Sequence, residues 1–147
     1  MKKRLTALFT ATILFATATL ANENIDPSLP VQNEFHHLFS QPTEVKWEVV
    51  SDFYKVSFVQ SGQHLTAFFN PAGNIEAISR NISTVSLPLI LQGRLQDKLA
   101  SSWITDCFEM YGKNGTEYYV TIANANGKVL YVSNSDDWDK YKGTNVK

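Results

Sequence analysis

The chain has 147 residues, 44% of them apolar and 12% aromatic, with 13 Lys and Arg against 14 Asp and Glu. That length suits one domain around one core, and the single cysteine, Cys107, excludes both an internal disulfide and a multi-cysteine zinc site. Beyond residue 21, ten basic residues stand singly among fourteen acidic ones, a formal charge of −4 that excludes the clustered cations from which nucleic-acid binding draws its affinity.

Lys2, Lys3 and Arg4 precede an apolar run from Leu5 to Leu20 rich in Ala and Thr, the pattern of a cleavable secretion signal. The run is too short and too threonine-rich for a membrane span, which needs ~20 predominantly apolar residues. Thr19 and Ala21 fit the small-residue positions of a cut after Ala21, with Ala16 and Ala18 an earlier alternative, and no cysteine is placed for lipidation. Residues 1–21 are therefore expected to be a signal peptide, and the product a periplasmic or secreted protein without stable membrane insertion after cleavage.

Residues 22–30, with Asp26-Pro27 and Leu29-Pro30, read as an extended lead-in because proline disfavours helix at the residue before it. The domain is expected over 31–133. Val31, Phe35, Leu38 and Phe39 recur at helical spacing on a short helix ending near Gln41-Pro42. The period then changes to two. Val45, Trp47 and Val49 alternate with Lys46 and Glu48, and Tyr54, Val56 and Phe58 alternate with Lys55 and Ser57, which predicts two strands joined at Ser51-Asp52. A third strand carries Leu65, Ala67 and Phe69 on one face and Thr66 and Phe68 on the other. Asn70 to Gly73 turns the chain into a fourth, Ile75 to Ile78.

A second helix is predicted over 87–101, capped by Ser86, with Pro88 in its first turn and Leu87, Leu91, Leu95 and Leu99 along one face. Strands follow at Trp103 to Tyr111, Glu117 to Asn124 and Lys128 to Ser133, joined by turns at Gly112 to Gly115 and at Asn126-Gly127. The two halves repeat as helix followed by antiparallel meander, Trp47 answering Trp103 and Gly73-Asn74-Ile75 answering Gly127-Lys128-Val129. The expected fold is α+β: an antiparallel meander sheet with two helices on one face, since each meander alone leaves an apolar face uncovered. Residues 134–147 are expected to be a C-terminal tail.

Val45-Lys46-Trp47, Tyr54 through Phe58, Ala67 through Gly73 and the Leu87-Pro88 helix start together resemble the PepSY-like, beta-lactamase-inhibitor-like secreted domains of Bacteroidetes, over roughly residues 31–133. The resemblance implies a helix-and-meander repeat, an extracytoplasmic location and non-enzymatic binding, extending to inhibition of a secreted or periplasmic enzyme. It carries no catalytic residue across. The second half departs from the pattern in its longer Gly112 to Gly115 turn and in Asp106, which interrupts an apolar strand face.

No nucleophile motif stands beside His36, His37 or His64, and adjacent His36 and His37 point to different sides of a helix, so they cannot chelate one metal as residues four apart would. Asp136, Asp137 and Asp139 lack the spacing of a calcium loop. Gly73 and Gly127 belong to no phosphate-cradling pattern, and the sequons at Asn81 and Asn114 read as turns. No cofactor and no metal are expected. If the strands keep this register, Phe68, Tyr111, Tyr119 and Tyr131 share the face opposite the core, where aromatics can anchor a protein, a peptide or an envelope component. The alternative is a small-ligand carrier or small hydrolase assembled from residues such as His64, Asp106 and Cys107. A third reading is pairing between copies through an exposed sheet edge.

Overall fold

The computed structural model describes residues 25–142, so the leader, its cleavage site and the last five residues lie outside the described part. Ten residues form helix α1 (Leu29–Leu38), followed by strands β1 (Thr43–Val50), β2 (Phe53–Gln60), β3 (Gln63–Phe69) and β4 (Ile75–Asn81). A 3₁₀ turn at Thr84–Ser86 leads into α2 (Leu89–Gln96), then β5 (Trp103–Gly112), β6 (Gly115–Asn124), β7 (Gly127–Asn134) and β8 (Asp137–Lys140). All neighbours pair antiparallel in one eight-stranded sheet of order β1 to β8, so each half is a helix followed by four strands.

The expected α+β meander is the observed one, with four local differences. First, α1 begins two residues before the expected domain start, because Ser28 supplies the extended residue at its N-terminus and Pro30, which lacks an N–H, sits in the first turn where no donor is needed. Second, α2 stops at Gln96 rather than 101. The chain tightens there through three-residue bonds, Lys98 N–H to the Leu95 carbonyl and Leu99 N–H to that of Gln96, which still bring Leu99 against the core. Pro88, not Ser86, occupies the N-cap, and the Gln92 side chain reaches back to the carbonyls of Val85 and Leu87.

Third, the β6–β7 turn is made by Ala125-Asn126, with Gly127 already in the strand, because Asn124 accepts the Asn126 N–H at 2.8 Å and closes the corner one residue early. Fourth, the segment expected as a tail opens with β8. Its Trp138 is buried against α2 and donates Nε1–H to the Leu91 carbonyl at 3.0 Å, which gives the strand an apolar anchor that its acidic sequence conceals.

Both helices lie on one face. Val31 and Phe35 of α1 pack on Val56, Phe58, Ala67 and Phe69, and the Phe35 ring meets those of Trp47 and Phe58 edge-on at 5.2 and 5.1 Å. Leu91 and Leu95 of α2 pack on Cys107, Val120, Ile122 and Trp138. The two clusters are separated along the β4–β5 seam by the Arg80–Glu109 ion pair, whose guanidinium also reaches Gln63.

Candidate functional site

Cross-strand partners share a face, so the register assigns every strand residue to the helix side or to the open side. Along the open side run Lys46 and Glu48 of β1, Lys55 and Ser57 of β2, Thr66 and Phe68 of β3, and Ala77 and Ser79 of β4. The second half continues it with Phe108 and Met110, Glu117 and Tyr119, Leu130 and Val132, and Asp139. Among the described residues no helix or strand lies over this face.

Its centre is nonetheless buried. Phe68, Ala77, Phe108, Met110, Tyr119 and Leu130 form a cluster of their own, with Phe68 and Tyr119 each only 2% exposed. Phe108 and Tyr119 stack in parallel at 4.8 Å and 4°, while Tyr141, which follows β8, meets Tyr119 at 6.3 Å. The Tyr119 hydroxyl donates to Glu117 at 2.8 Å, so the ring is held at both its face and its tip. Beside this apolar centre, a depression of 330 Å³ is lined on the open side by Lys46, Ser57, His64, Thr66, Ser79 and Asn81. Lys55 donates to Glu48 at 2.8 Å and holds that carboxyl below the usual carboxylate range, so the β1–β2 end carries alternating charge. The opposite end is acidic through Asp137 and Asp139.

The structure divides the four aromatic candidates two and two. Phe68 and Tyr119 fall on the open face and form its packed floor. Tyr111 pairs with Ile78 and Tyr131 with Val120, which puts both on the helix side. Tyr131 packs against the α2 cluster with the Lys98 ammonium 5.4 Å over its ring, and Tyr111 is 64% exposed beyond the reach of either helix. The aromatic that sequence reasoning missed is Trp103, which is 57% exposed and opposite Ala123. Simple alternation puts Trp103 and Tyr111 on one face, but a bulge between Ile104 and Asp106 reverses the parity and brings Trp103 to the open side. The same bulge accommodates Asp106, whose carboxyl stays exposed.

The residues named for a catalytic alternative are not brought together by the sheet register. Asp106 and Cys107 are sequence neighbours on opposite faces, and His64 lies on β3, with β4 between it and β5. Burial pushes the Cys107 thiol up to about 11. His36 and His37 are exposed on α1. Among the described residues no group of three His, Cys, Asp or Glu side chains converges for a metal, and no helix is long and apolar enough to cross a membrane.

No protein-family model matches the sequence, and no functionally curated protein does. Solved structures do match the fold. A BLIP-like protein from Bacteroides fragilis superposes with a TM-score of 0.65 at 17% identity, covering 84% of this chain and 93% of its own. A DUF2874 family protein from Bacteroides uniformis gives 0.71 at 11%, covering 80% and 88%. A Bacteroides eggerthii protein provisionally assigned to the periplasm gives 0.72 at 10%, covering 82% and 94%. The chain thus has the fold of BLIP-like and DUF2874 proteins of Bacteroides, in agreement with the resemblance read from its strands.

Proposed function

We propose that this protein is an exported, non-enzymatic interaction module that receives a protein partner on its open sheet face. The observation that carries the proposal is that face itself. An apolar floor of packed aromatics is flanked by a polar depression and by the exposed indole of Trp103. Trp is among the side chains that most often anchor interfaces. The Phe68 and Tyr119 rings act as the floor, and contact falls to Trp103, Thr66 and the Ser57–Ser79 strip around them. Export is supported by the basic and apolar leader and by the provisional periplasmic assignment of the Bacteroides eggerthii neighbour. The BLIP-like neighbour supports inhibition of an extracytoplasmic enzyme as the form the binding takes.

The test is capture by the immobilised full chain from the producing cell's envelope and culture fractions, competed with untagged chain and read by mass spectrometry. Trp103→Ala and Thr66→Arg, on the open face, should each reduce capture of the competed protein at least tenfold, while Leu89→Ser on the exposed outer side of α2 leaves it unchanged. Capture that survives both open-face variants removes the proposal, as does turnover of a chromogenic substrate that His64→Ala abolishes.

A further inference from the structure

Strand β1 is an edge of the sheet, and its sequence is complementary to itself. Among the described residues only β2 pairs with it. The β1–β2 hairpin closes over the Ser51-Asp52 turn with Val50 opposite Phe53. Hydrogen-bonded pairs then alternate from that closing pair, which directs the N–H and C=O of Lys46, Glu48 and Val50 toward β2 and those of Trp47 and Val49 toward the open edge. On the helix side of the same edge, Val45 is 41% and Val49 52% exposed, flanking the half-buried Trp47. Natural edge strands are usually shortened, broken by proline or armed with inward charges. The eight-residue β1 has no proline and spreads three charges along its length, whereas the other edge, β8, has three charges in four residues.

We infer that two copies of this chain pair antiparallel along β1 about a two-fold axis at Trp47, joining their sheets into one. Centred there, the strand faces itself with Val45 opposite the second copy's Val49, Trp47 opposite Trp47 and Lys46 opposite Glu48. The two Trp47 residues exchange both backbone hydrogen bonds, because that position already points its groups outward. Lys46 and Glu48 fall in the non-hydrogen-bonded positions, where facing side chains stand closest.

Charge complementarity decides the register. Lys55 already holds Glu48 at 2.8 Å and Lys46 lies 3.6 Å from it, so pairing extends an existing row of alternating charge across the seam: Lys55, Glu48, then the second copy's Lys46. A slip of two residues would bring Lys46 opposite Lys46 or Glu48 opposite Glu48, and a slip of one would take the outward backbone groups out of phase. A bulge between Thr43 and Lys46, where Glu44 has φ +54, ends the regular ladder and opposes longer, less specific pairing, so Lys46, Trp47 and Glu48 carry the register and Val45 meets Val49 at its margin. The dimer displays two open faces on one continuous sheet. This inference does not depend on what those faces bind.

Sedimentation of the full chain, expressed for export and purified, tests it. A concentration-dependent monomer–dimer equilibrium is expected, which Val49→Lys weakens at least tenfold with the far-ultraviolet circular dichroism and thermal midpoint kept. Register is read separately by mild diamide oxidation. An equimolar mixture of Lys46→Cys and Glu48→Cys chains should form an intermolecular disulfide that neither chain forms alone. A wild-type chain that sediments as a monomer at its highest soluble concentration overturns the inference. So does a dimer indifferent to Val49→Lys, or an absent mixed disulfide.

Discussion

Cys107 shows how a residue's chemistry follows from the side of the strand on which it falls. Its side chain faces α2 among Leu91, Leu95, Val120 and Ile122, where the thiolate would have no water to solvate it. Burial therefore raises its pKa from 9.0 to about 11. The thiol should resist iodoacetamide in the native protein at pH 8 and be alkylated only at the rate of unfolding, as followed by mass spectrometry with and without urea. The sign of the linked pH effect is set by the raised native value. The unfolded chain loses its proton above pH 9 while the folded one keeps it, so this site's contribution to stability is intact below 9 and declines as pH rises toward 11. Fast labelling of native protein at pH 8 would contradict this placement. The tyrosines carry the opposite lesson. Tyr111 and Tyr131 were legible as strand residues, but their face was not, because the hairpin registers place Tyr111 opposite Thr116 and Tyr131 opposite Val120, each one position out of phase with Tyr119.

At the scale of elements, one contact between the start of α1 and the sheet is backbone against backbone. Gly73, at the β3–β4 turn, has φ +92, and a Cβ there would stand 2.8 Å from the Pro30 carbonyl oxygen. Gly73→Ala therefore meets both backbone strain and a collision with a rigid neighbour, and should lower stability by about 1–3 kcal/mol, read as a lower urea midpoint with unchanged slope. Gly62→Ala supplies the comparison. At φ +77 with open space around its added carbon, it bears only the strain and should cost less. Equal losses would mean that the Pro30 approach is unimportant. The elements themselves were largely readable, since period-two alternation marked β1 to β3 and leucine spacing marked α2. The ends were not. Where α2 stops depends on Leu99 finding the core through a tightened turn, and β8 exists because a buried backbone carbonyl of α2 accepts the Trp138 indole N–H.

Across the whole molecule, one sheet serves two helix-side cores that do not share residues, with the Arg80–Glu109 pair between them. Leu91→Ala should cost about 2–5 kcal/mol within the α2 core, and Phe58→Leu should lose the ring contacts with Phe35 and Phe39 in the α1 core. Because the two sites share no partner, the double variant should lose the sum of the single losses to within about 0.5 kcal/mol. A larger departure in chemical denaturation would show that the sheet transmits strain between the halves. The open-face cluster is a third packed layer and gives the sheet apolar contacts on both sides. The sequence by itself determined the α+β class, the helix-and-meander order, the side each helix covers and the turns. These follow from periodicity and turn chemistry within a few residues. Only the tertiary structure decided which aromatics share the open face, that an acidic terminal segment is a strand, and that β1 is left as an edge. Each depends on a partner distant in sequence or on the cumulative parity of a bulged sheet, and neither is encoded in any local window.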